Sequence, residues 1–553
     1  DLKTIREYCE VSPEEERLLL SWKSPIVLLK RKIRNPVRDV SPNGTLRPIS
    51  NYVAPNNKYL GFMLPYTPLH HLLFSLPSTR LPAVALAEAG YSLLSVLVMT
   101  SGNISDEPIA YENDEAMERL KNIADYFLIH DRDIYVRCDD SVTRIFPPTK
   151  KEFILRRSRG YTPDPIKSQK SKVKSQKCIL AVGAHSKNTF AIAKGNEVIL
   201  SHHIGDMENA ETYNSFVNGI EHFKKLFEVE PKIIAHDLHP DYLSTQYAKN
   251  LSTPRLPRFG GQVYPLLSTV SVQHHHAHIA SVMADNLLDN RKVIGIAFDG
   301  TGLGLDGKLW GGEFLVADYK EFKRIAHFKY VSLPGGEKAI KEPWRVAFSY
   351  LYSIFGNELW KLDINFIKKL DKKKSRVLQK MIDTGVNVPL TSSIGRLFDT
   401  VASLIGIRDT VNYEGQAAVE LEMIMDDGRW TMDDGRKYQY EIKKDRDTYI
   451  IDTDETIKGI IEDLENKEPK EIISLKFHNT IVELIVDMSK KIRKDTGLKD
   501  IALGGGVFQN MSLLTNAYNG LKKAGFKVYI HEKVPTNDGG LSLGQTVIAL
   551  YRS

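Results

Sequence analysis

Two imidazoles spaced to share one helix face, His274 and His278, stand in the run Gln273, His274, His275, His276, Ala277, His278, Ile279, Ala280. Residues i and i+4 of a helix lie one above the other. Such a pair can bind one metal ion with little rearrangement, and the apolar, strand-like segment before it implies that the run opens a helix. Two carboxylates occur in suitable settings: Asp299 after Ile294, Gly295, Ile296, Ala297 and Phe298, and Asp538 after Pro535, Thr536 and Asn537. Each is expected at a strand end or in a loop, where functional groups collect. A lone His is more often packed than ligating, but this run is internal and flanked by apolar positions, which favours a site. Imidazole with carboxylate suits zinc, iron or manganese.

The second chemistry is anion binding. Asp299 leads into Gly300, Thr301 and Gly302, and a further turn, Gly504, Gly505 and Gly506, follows Asp500, Ile501 and Ala502 and precedes a helix-like segment. Bare Gly backbone and helix N-termini are natural contacts for phosphates. An apolar strand at residues 178–183 likewise empties into His185, Ser186, Lys187, Asn188 and Thr189, with strands expected at 190–193 and 198–204. Residues 293–298 repeat this arrangement, with strands expected near 313–316 and 324–331. The repetition predicts a duplicated α/β domain holding a nucleotide in the cleft between two lobes. Residues 472–492 place Leu475, Ile481, Leu484, Ile485, Met488 and Ile492 near helical periodicity, so a core-facing helix is expected there, with His478 packed rather than ligating.

The elements that carry these groups belong to a chain of 553 residues, long enough for several domains. Hydrophobic content of 42% and charged content of 26% are ordinary for globular protein. With 75 basic residues against 69 acidic ones, the charge does not indicate a dedicated nucleic-acid surface. Cys9, Cys138 and Cys178 are too few and too scattered for a disulfide framework or a Cys-based finger, which suits a reducing cytoplasm. The N-terminus lacks a secretory pattern, and the longest apolar stretch, residues 93–99, is too short to span a bilayer. The chain begins with Asp1 rather than Met, which suggests that an upstream piece is absent.

Residues 166–177 are polar and basic, and predict an exposed linker between folded parts. Before it, residues 93–99 have the pattern of a buried strand emptying into Thr100, Ser101, Gly102 and Asn103, which on these residues alone is an ordinary turn. Asp139, Asp140, Ser141 and Arg144 follow, then Arg156, Arg157 and Arg159. Arg forks match phosphate geometry, although such clusters are often only solvated surface.

These motifs carry a resemblance that covers nearly the whole chain. Residues 64–73, 99–103, 130–134, 139–142 and 156–161 resemble a YrdC-like domain. Residues 274–278, 298–302, 333–337, 392–399, 413–418, 504–510 and 537–540 resemble the universal threonylcarbamoyl-transferase-like domain of the actin and sugar-kinase superfamily. Their order and combination resemble the hydrogenase-maturation carbamoyltransferases of the HypF type. The fold implied is α/β: a YrdC-like domain at 1–165 lacking its N-terminal part, a linker at 166–177, and a duplicated two-lobed domain with lobes at 178–290 and 291–553.

The resemblance implies a two-stage reaction. Carbamoyl phosphate and ATP, with Mg2+ on the nucleotide, give a carbamoyl-adenylate. The carbamoyl group then passes to the C-terminal cysteine of a partner, HypE, toward the cyanide ligands of a nickel-iron centre. Carried over by motif, His274, His278, Asp299 and Asp538 become ligands of one divalent ion, zinc or iron. Ser101 and Asn103 become nucleotide contacts of the first domain, with Ser141 and Arg144 nearby candidates. Asn188, Gly300 and Thr301 would face phosphates, and Asp399, Gly415, Glu420, Gly505, Gly506 and Asn510 would surround the adenosine. The family's acylphosphatase-like domain, zinc fingers and opening basic motif have no counterpart in this sequence, so hydrolysis of carbamoyl phosphate is not expected of it. An antibiotic O-carbamoyltransferase usually has the opposite domain order, and tRNA threonylcarbamoylation normally uses separate chains. A non-catalytic actin-like ATP switch would not need a dedicated His/Asp site.

Overall fold

The computed structural model describes residues 1–32, 52–75, 96–105, 107–167, 178–252, 267–425 and 435–553. The chain forms two compact units, one of Asp1–Ile145 with Lys150–Thr162, the other of Pro163–Ser553 with Phe146–Thr149. No helix among the described residues is long and apolar enough to cross a membrane.

The first unit is built on a sheet of order β2-β1-β3-β4, with β1 at Ile26–Lys30, β2 at Tyr59–Phe62, β3 at Val142–Phe146 and β4 at Lys151–Arg156. Strand β1 alternates, burying Val27 and Leu29 against Ile5 and Leu19 of two N-terminal helices and Cys9 just after the first of them. The helix Pro13–Leu19 starts where the chemistry dictates: Ser12 and Glu15 form a capping box and Pro13 occupies the first turn. The strand expected at 93–99 is not formed at residues 96–99, and residues 93–95 lie outside the described residues.

The second unit contains the expected duplication. Its first sheet has the order β10-β9-β6-β7-β8-β5, with β5 at Ile166–Lys167, β6 at Ile179–Ala181, β7 at Ala191–Lys194, β8 at Glu197–Leu200, β9 at Ile233–Asp237 and β10 at Ser268–Val272. The second sheet runs through β11 at Val293–Leu303, β12 at Leu309–Ala317 and β13 at Phe322–Phe328. Later in the chain come β14 at Val331–Ser332, β15 at Leu390–Thr391, β16 at Glu441–Asp445, β17 at Thr448–Asp452, β18 at Asp500–Gly504 and β19 at Lys527–Tyr529. Its path is β16-β17-β13-β12-β11-β18-β19. In each sheet an antiparallel three-strand meander is extended by two parallel strands: β9 and β10 beside β6, and β18 and β19 beside β11. Of the linker expected at 166–177, Ile166 and Lys167 are instead a short strand paired with Val198 and Glu197 of β8; residues 168–177 lie outside the described residues.

The helices that end the two lobes are exchanged. His274–Asp285 follows β10 yet packs on β11 and β18, while Leu541–Arg552 ends the chain and packs on β6, β9 and β10; the two also pack on each other. Ala277, Ala280, Met283, Val547 and Ala549 meet in one core there, so a cut at 290/291 separates the lobes in sequence but not in packing. Close approach requires Gly544, since a Cβ at that position would lie 1.9 Å from the carbonyl oxygen of Ala277. Buried Gln545 accepts from the Gly183 N–H at 2.9 Å and donates to the Gly183 carbonyl at 3.1 Å, fastening the end of the first lobe's β6 to the last helix.

Candidate metal centre and nucleotide cleft

The helix His274–Asp285 is entirely buried and opens at Gln273, whose side chain caps the His276 N–H. Its imidazoles therefore diverge by helical geometry. His274 and His278 share a face and turn toward Asp299. His275 turns toward Trp310, and His276 Nε2 meets the Asp318 carbonyl at 2.6 Å. Asp299 sits where the β11–β12 register breaks between Phe298 and Gly302, an irregularity that re-aims the side chain. Asp538 follows Asn537, whose side chain caps Gly539 at 3.0 Å.

These four groups converge. His274 Nε2 lies 3.1 Å from Asp299 Oδ2 and 3.5 Å from Asp538 Oδ1, and His278 Nε2 lies 3.2 and 3.4 Å from the same atoms. One donor atom from each of the four lies within 4.8 Å of the others. A tetrahedral ion with bonds of about 2.1 Å has ligand–ligand edges of about 3.4 Å, so the four spacings fit one small ion. The electrostatics agree. Burial opposes charge on every member, but the Asp538 and Asp237 carboxylates outweigh it and raise His274 well above the usual imidazole range. Burial would also raise Asp299, yet hydrogen bonds from His274 and His278 hold it well below the carboxylate range, and Asp538 is pulled down to about 2. The cluster attracts a cation.

Sequence reasoning missed Asp237. Its Oδ2 accepts from His274 Nδ1 at 2.8 Å, so that a metal ion replacing the Nε2 proton would meet the lone pair of that ring on Nε2, facing the cluster. Its signal was the rule that located Asp299, an apolar strand ending in Asp, but its proximity to His274 exists only once β9 pairs with β10 in register, Val272 opposite Asp237. Asp237→Ala is expected to lower metal affinity by about 10- to 100-fold, as loss of such an orienting carboxylate does. Competition with a chelator measures this, and unchanged affinity would mean that the ring is oriented otherwise.

Asp285, at the other end of the helix, holds the loop leading to Asp538. Its Oδ2 accepts from the N–H groups of Glu532 and Lys533 at 2.6 and 2.9 Å, while burial pushes its carboxyl up to about 6. Because the folded carboxyl binds its proton more tightly than the unfolded one, ionising it weakens the fold. Stability lost between about pH 4 and 6 on this account is on the order of 3 kcal/mol. Asp285→Asn keeps an acceptor and removes the charge. The variant is expected to gain on wild type as pH rises through that window and to hold a constant advantage above it; parallel unfolding-midpoint profiles would contradict the argument.

A cleft adjoins the cluster and shares Asp299 and Asp538 with it; Lys187, Gly300, Arg396, Asp399, Glu414, Gly415, Gly506 and Asn510 also line it. Of the residues assigned to the nucleotide, Gly300, Asp399, Gly415, Gly506 and Asn510 are thus brought together. Gly506 N–H donates to Asp299 Oδ1 at 3.0 Å, and a Cβ on Gly506 would come equally close to that oxygen. Gly506→Val is therefore expected to lower metal content and ATP affinity together, read by elemental analysis and calorimetric titration; loss of one without the other would separate the two sites.

Four assigned residues of this unit are not in the lining. Asn188 is fully buried, and its amide donates to the carbonyls of Val182 and Ala184 at 2.9 and 2.6 Å. Both carboxylate oxygens of Glu420 are engaged, by Arg408 at 2.7 Å and Gln416 at 3.0 Å. Thr301 lies within β11, inside the stretch between Phe298 and Gly302 where the register shifts. Gly505, at φ +105°, supports the turn, because a Cβ there would lie 2.2 Å from the Phe298 carbonyl oxygen. Sequence reasoning assigned no site role to Lys187, Arg396 or Glu414. His478 is packed as expected, with Nδ1 at 2.8 Å from the Ser474 carbonyl and Nε2 at 2.9 Å from Asn510 Nδ2.

In the first unit, Ser101 is exposed and the Asn103 amide donates to the carbonyls of Ile104 and Glu107 at 2.9 and 3.0 Å. The Ser141 hydroxyl is buried, donating to the Arg159 carbonyl and accepting from the Ser158 N–H, and Arg144 is buried with its guanidinium over the Tyr59 ring. In the basic cluster, Arg157 binds the Tyr161 carbonyl and Arg159 the carbonyls of Lys23 and Ser24.

Comparison with known proteins identifies the family of the chain. Residues 295–545 match the family described as Carbamoyltransferase, Kae1-like Domain, second subdomain, residues 174–285 match the HypF Kae1-like domain, and residues 1–158 match the Sua5/YciO/YrdC family described as Telomere recombination. Carbamoyltransferase HypF of Synechocystis sp. is 39% identical over 99% of this chain and 65% of its own length. Carbamoyltransferase HypF2 of Cupriavidus necator is 36% identical over 100% of this chain and 67% of its own. The chain thus spans about two thirds of the length of these relatives. A crystal structure described as full-length HypF in the phosphate- and nucleotide-bound form superimposes with a TM-score of 0.84 at 45% identity, covering 99% of this chain and 78% of that one. HypF of T. kodakarensis gives a TM-score of 0.83 at 32% identity, over 100% of this chain and 66% of that one. By the order of its matched domains and by identity along its whole length, this chain belongs to the HypF carbamoyltransferase family.

Proposed function

We propose that the chain forms the carbamoyl-transferring part of a hydrogenase-maturation enzyme. Carbamate, released together with phosphate from carbamoyl phosphate, attacks the α-phosphorus of ATP, with Mg2+ on the nucleotide; a P–O bond forms, pyrophosphate leaves, and the carbamoyl group is then passed to the C-terminal cysteine thiol of HypE. In the transfer a C–S bond forms, the C–O bond to AMP breaks, and the thiol proton leaves to a base. The observation that carries this reading is the His274, His278, Asp299 and Asp538 cluster, whose two carboxylates also line the cleft with Gly300 and Gly506. Zinc or iron held there would supply Lewis-acid polarisation of a carbonyl or phosphoryl oxygen. The chain's own residues orient the cluster: Asp237 sets the His274 tautomer, and the Gly506 N–H fixes Asp299.

The acceptor thiol is supplied in trans. Burial pushes the thiols of Cys9 and Cys178 up to about 11 and raises that of Cys138 as well, so all three are poor thiolates at neutral pH. Three free cysteines also suit a reducing cytoplasm as the compartment. Intact-mass analysis of HypE after incubation with ATP, carbamoyl phosphate and this chain, or an N-terminally extended version of it, tests the reading. One carbamoyl adduct, lost when the partner's terminal Cys is replaced by Ala, is expected. Modification of an antibiotic hydroxyl or a tRNA by the extended enzyme, with the thiol untouched, would overturn it.

A further inference from the structure

Arg396 is a buried guanidinium with two nitrogens unengaged. It stands in the first turn of the helix Ile394–Leu404, is 4% exposed, and lines the cleft beside Gly300 and Asp399. Nη2 pairs with Asp399 Oδ2 at 3.0 Å, whereas Nε and Nη1 have no acceptor among the described residues. A buried donor left without a partner is destabilising, a penalty that a ligand bringing acceptors removes. The backbone adds charge of the same sign. Ser393 caps this helix by accepting from the Arg396 N–H and donates its own proton to the Asp299 carbonyl, so the positive end of the helix points at the corner where Asp299 meets Gly300.

From the first lobe, Lys187 reaches the same cleft and pairs with Glu414. A Cβ on Gly300 would lie 3.8 Å from Glu414 Oε1 and 3.8 Å from Arg396 Nη2, so the Glu414 carboxylate sits at the corner that the two cations face. Its side chain is 50% exposed and comes from the loop ahead of the helix Gln416–Met423. Ion pairs with such an exposed partner are weak and exchangeable.

We propose that Lys187 and Arg396 clamp a phosphoryl group at the Gly300 corner of the cleft, and that the Glu414 carboxylate is the placeholder this group displaces. The proposal rests on the nucleotide reading of the cleft and adds to it the residues that grip the phosphate. Nη2, the nitrogen nearest the Gly300 corner, has a second N–H beyond the one paired with Asp399, and with Nη1 beside it the guanidinium can meet two phosphoryl oxygens, while Lys187 adds a point charge from the opposite lobe. The phosphoryl group belongs either to the nucleotide or to free phosphate, and the chemistry at the corner is the same.

Calorimetric titration of wild type, Arg396→Lys and Glu414→Gln with ATP, adenosine and inorganic phosphate separates these sources. Arg396→Lys is expected to weaken ATP about tenfold with adenosine unchanged if the nucleotide supplies the group, or to weaken inorganic phosphate about tenfold with ATP unchanged if free phosphate does. Glu414→Gln, at an exposed side chain, should tighten the same ligand several-fold, roughly the gain from removing a competing carboxylate. Unchanged affinity of Arg396→Lys for both ATP and phosphate, or weaker binding by Glu414→Gln, overturns the proposal. Absence of ATP binding by the wild type would instead defeat the nucleotide reading, while the phosphate titration still decides the clamp.

Discussion

Replacing His278 by Ala is expected to strip the candidate metal centre and to lower carbamoyl transfer by more than about a hundredfold, the upper end of what losing a mere orienting partner costs. His278 is fully buried and provides one of two imidazoles that face Asp299 and Asp538. Without it, two buried carboxylates confront a single nitrogen ligand, and the coordination sphere is left one ligand short. The internal control is His276→Ala. That ring points away, to the Asp318 carbonyl, and its removal should leave metal content intact. Elemental analysis of both variants with transfer rates makes the comparison, and full occupancy in the His278 variant would dissolve the site.

The second large effect is expected far from any ligand atom. A single added methyl group in Gly544→Ala would stand 1.9 Å from the Ala277 carbonyl oxygen, a distance no packing tolerates. The two exchanged helices must separate, at a cost of about 3 kcal/mol from overpacking. Ala277 lies directly before His278, so the displacement also carries ligands out of register with Asp299 and Asp538. A lower unfolding midpoint together with reduced metal content is the expected pair of results. Unchanged values for both would mean that the crossing of these helices is looser than its geometry requires.

How much was legible in the sequence depended on whether the information was local. The i and i+4 spacing of His274 and His278 needs only one helix, and the strand-end positions of Asp299 and Asp538 need only an apolar run and a turn, so these four were readable before any tertiary structure. The duplicated meander was legible for the same reason. The exchange of the terminal helices was not. Leu541–Arg552 is buried nearly all round, with Leu541, Leu543, Val547, Ile548 and Leu550 all inside, and such a pattern does not say which sheet it covers.

Residues outside the His/Asp cluster were the harder class. Asn188, Gly505 and Glu420 carry the residue types that nucleotide contacts favour, but the fold uses them to satisfy backbone carbonyls, to permit a close approach and to hold an ion pair. Arg396 illustrates the reverse: a buried cation whose unengaged nitrogens become visible only when every neighbour has been placed. Asp237 lies between these cases, since its strand-end position was readable and its partner, thirty-seven residues away, was not.

The central claim is that His274, His278, Asp299 and Asp538 bind a single divalent ion. X-ray absorption at the metal edge of the purified, metal-loaded chain tests it most directly. The predicted spectrum has two imidazole nitrogens and two carboxylate oxygens at about 2.0–2.2 Å, with no sulfur in the coordination sphere. A sulfur scatterer at about 2.3 Å, or a shell of oxygen alone without the outer features of imidazole, would place the ion elsewhere and contradict the account.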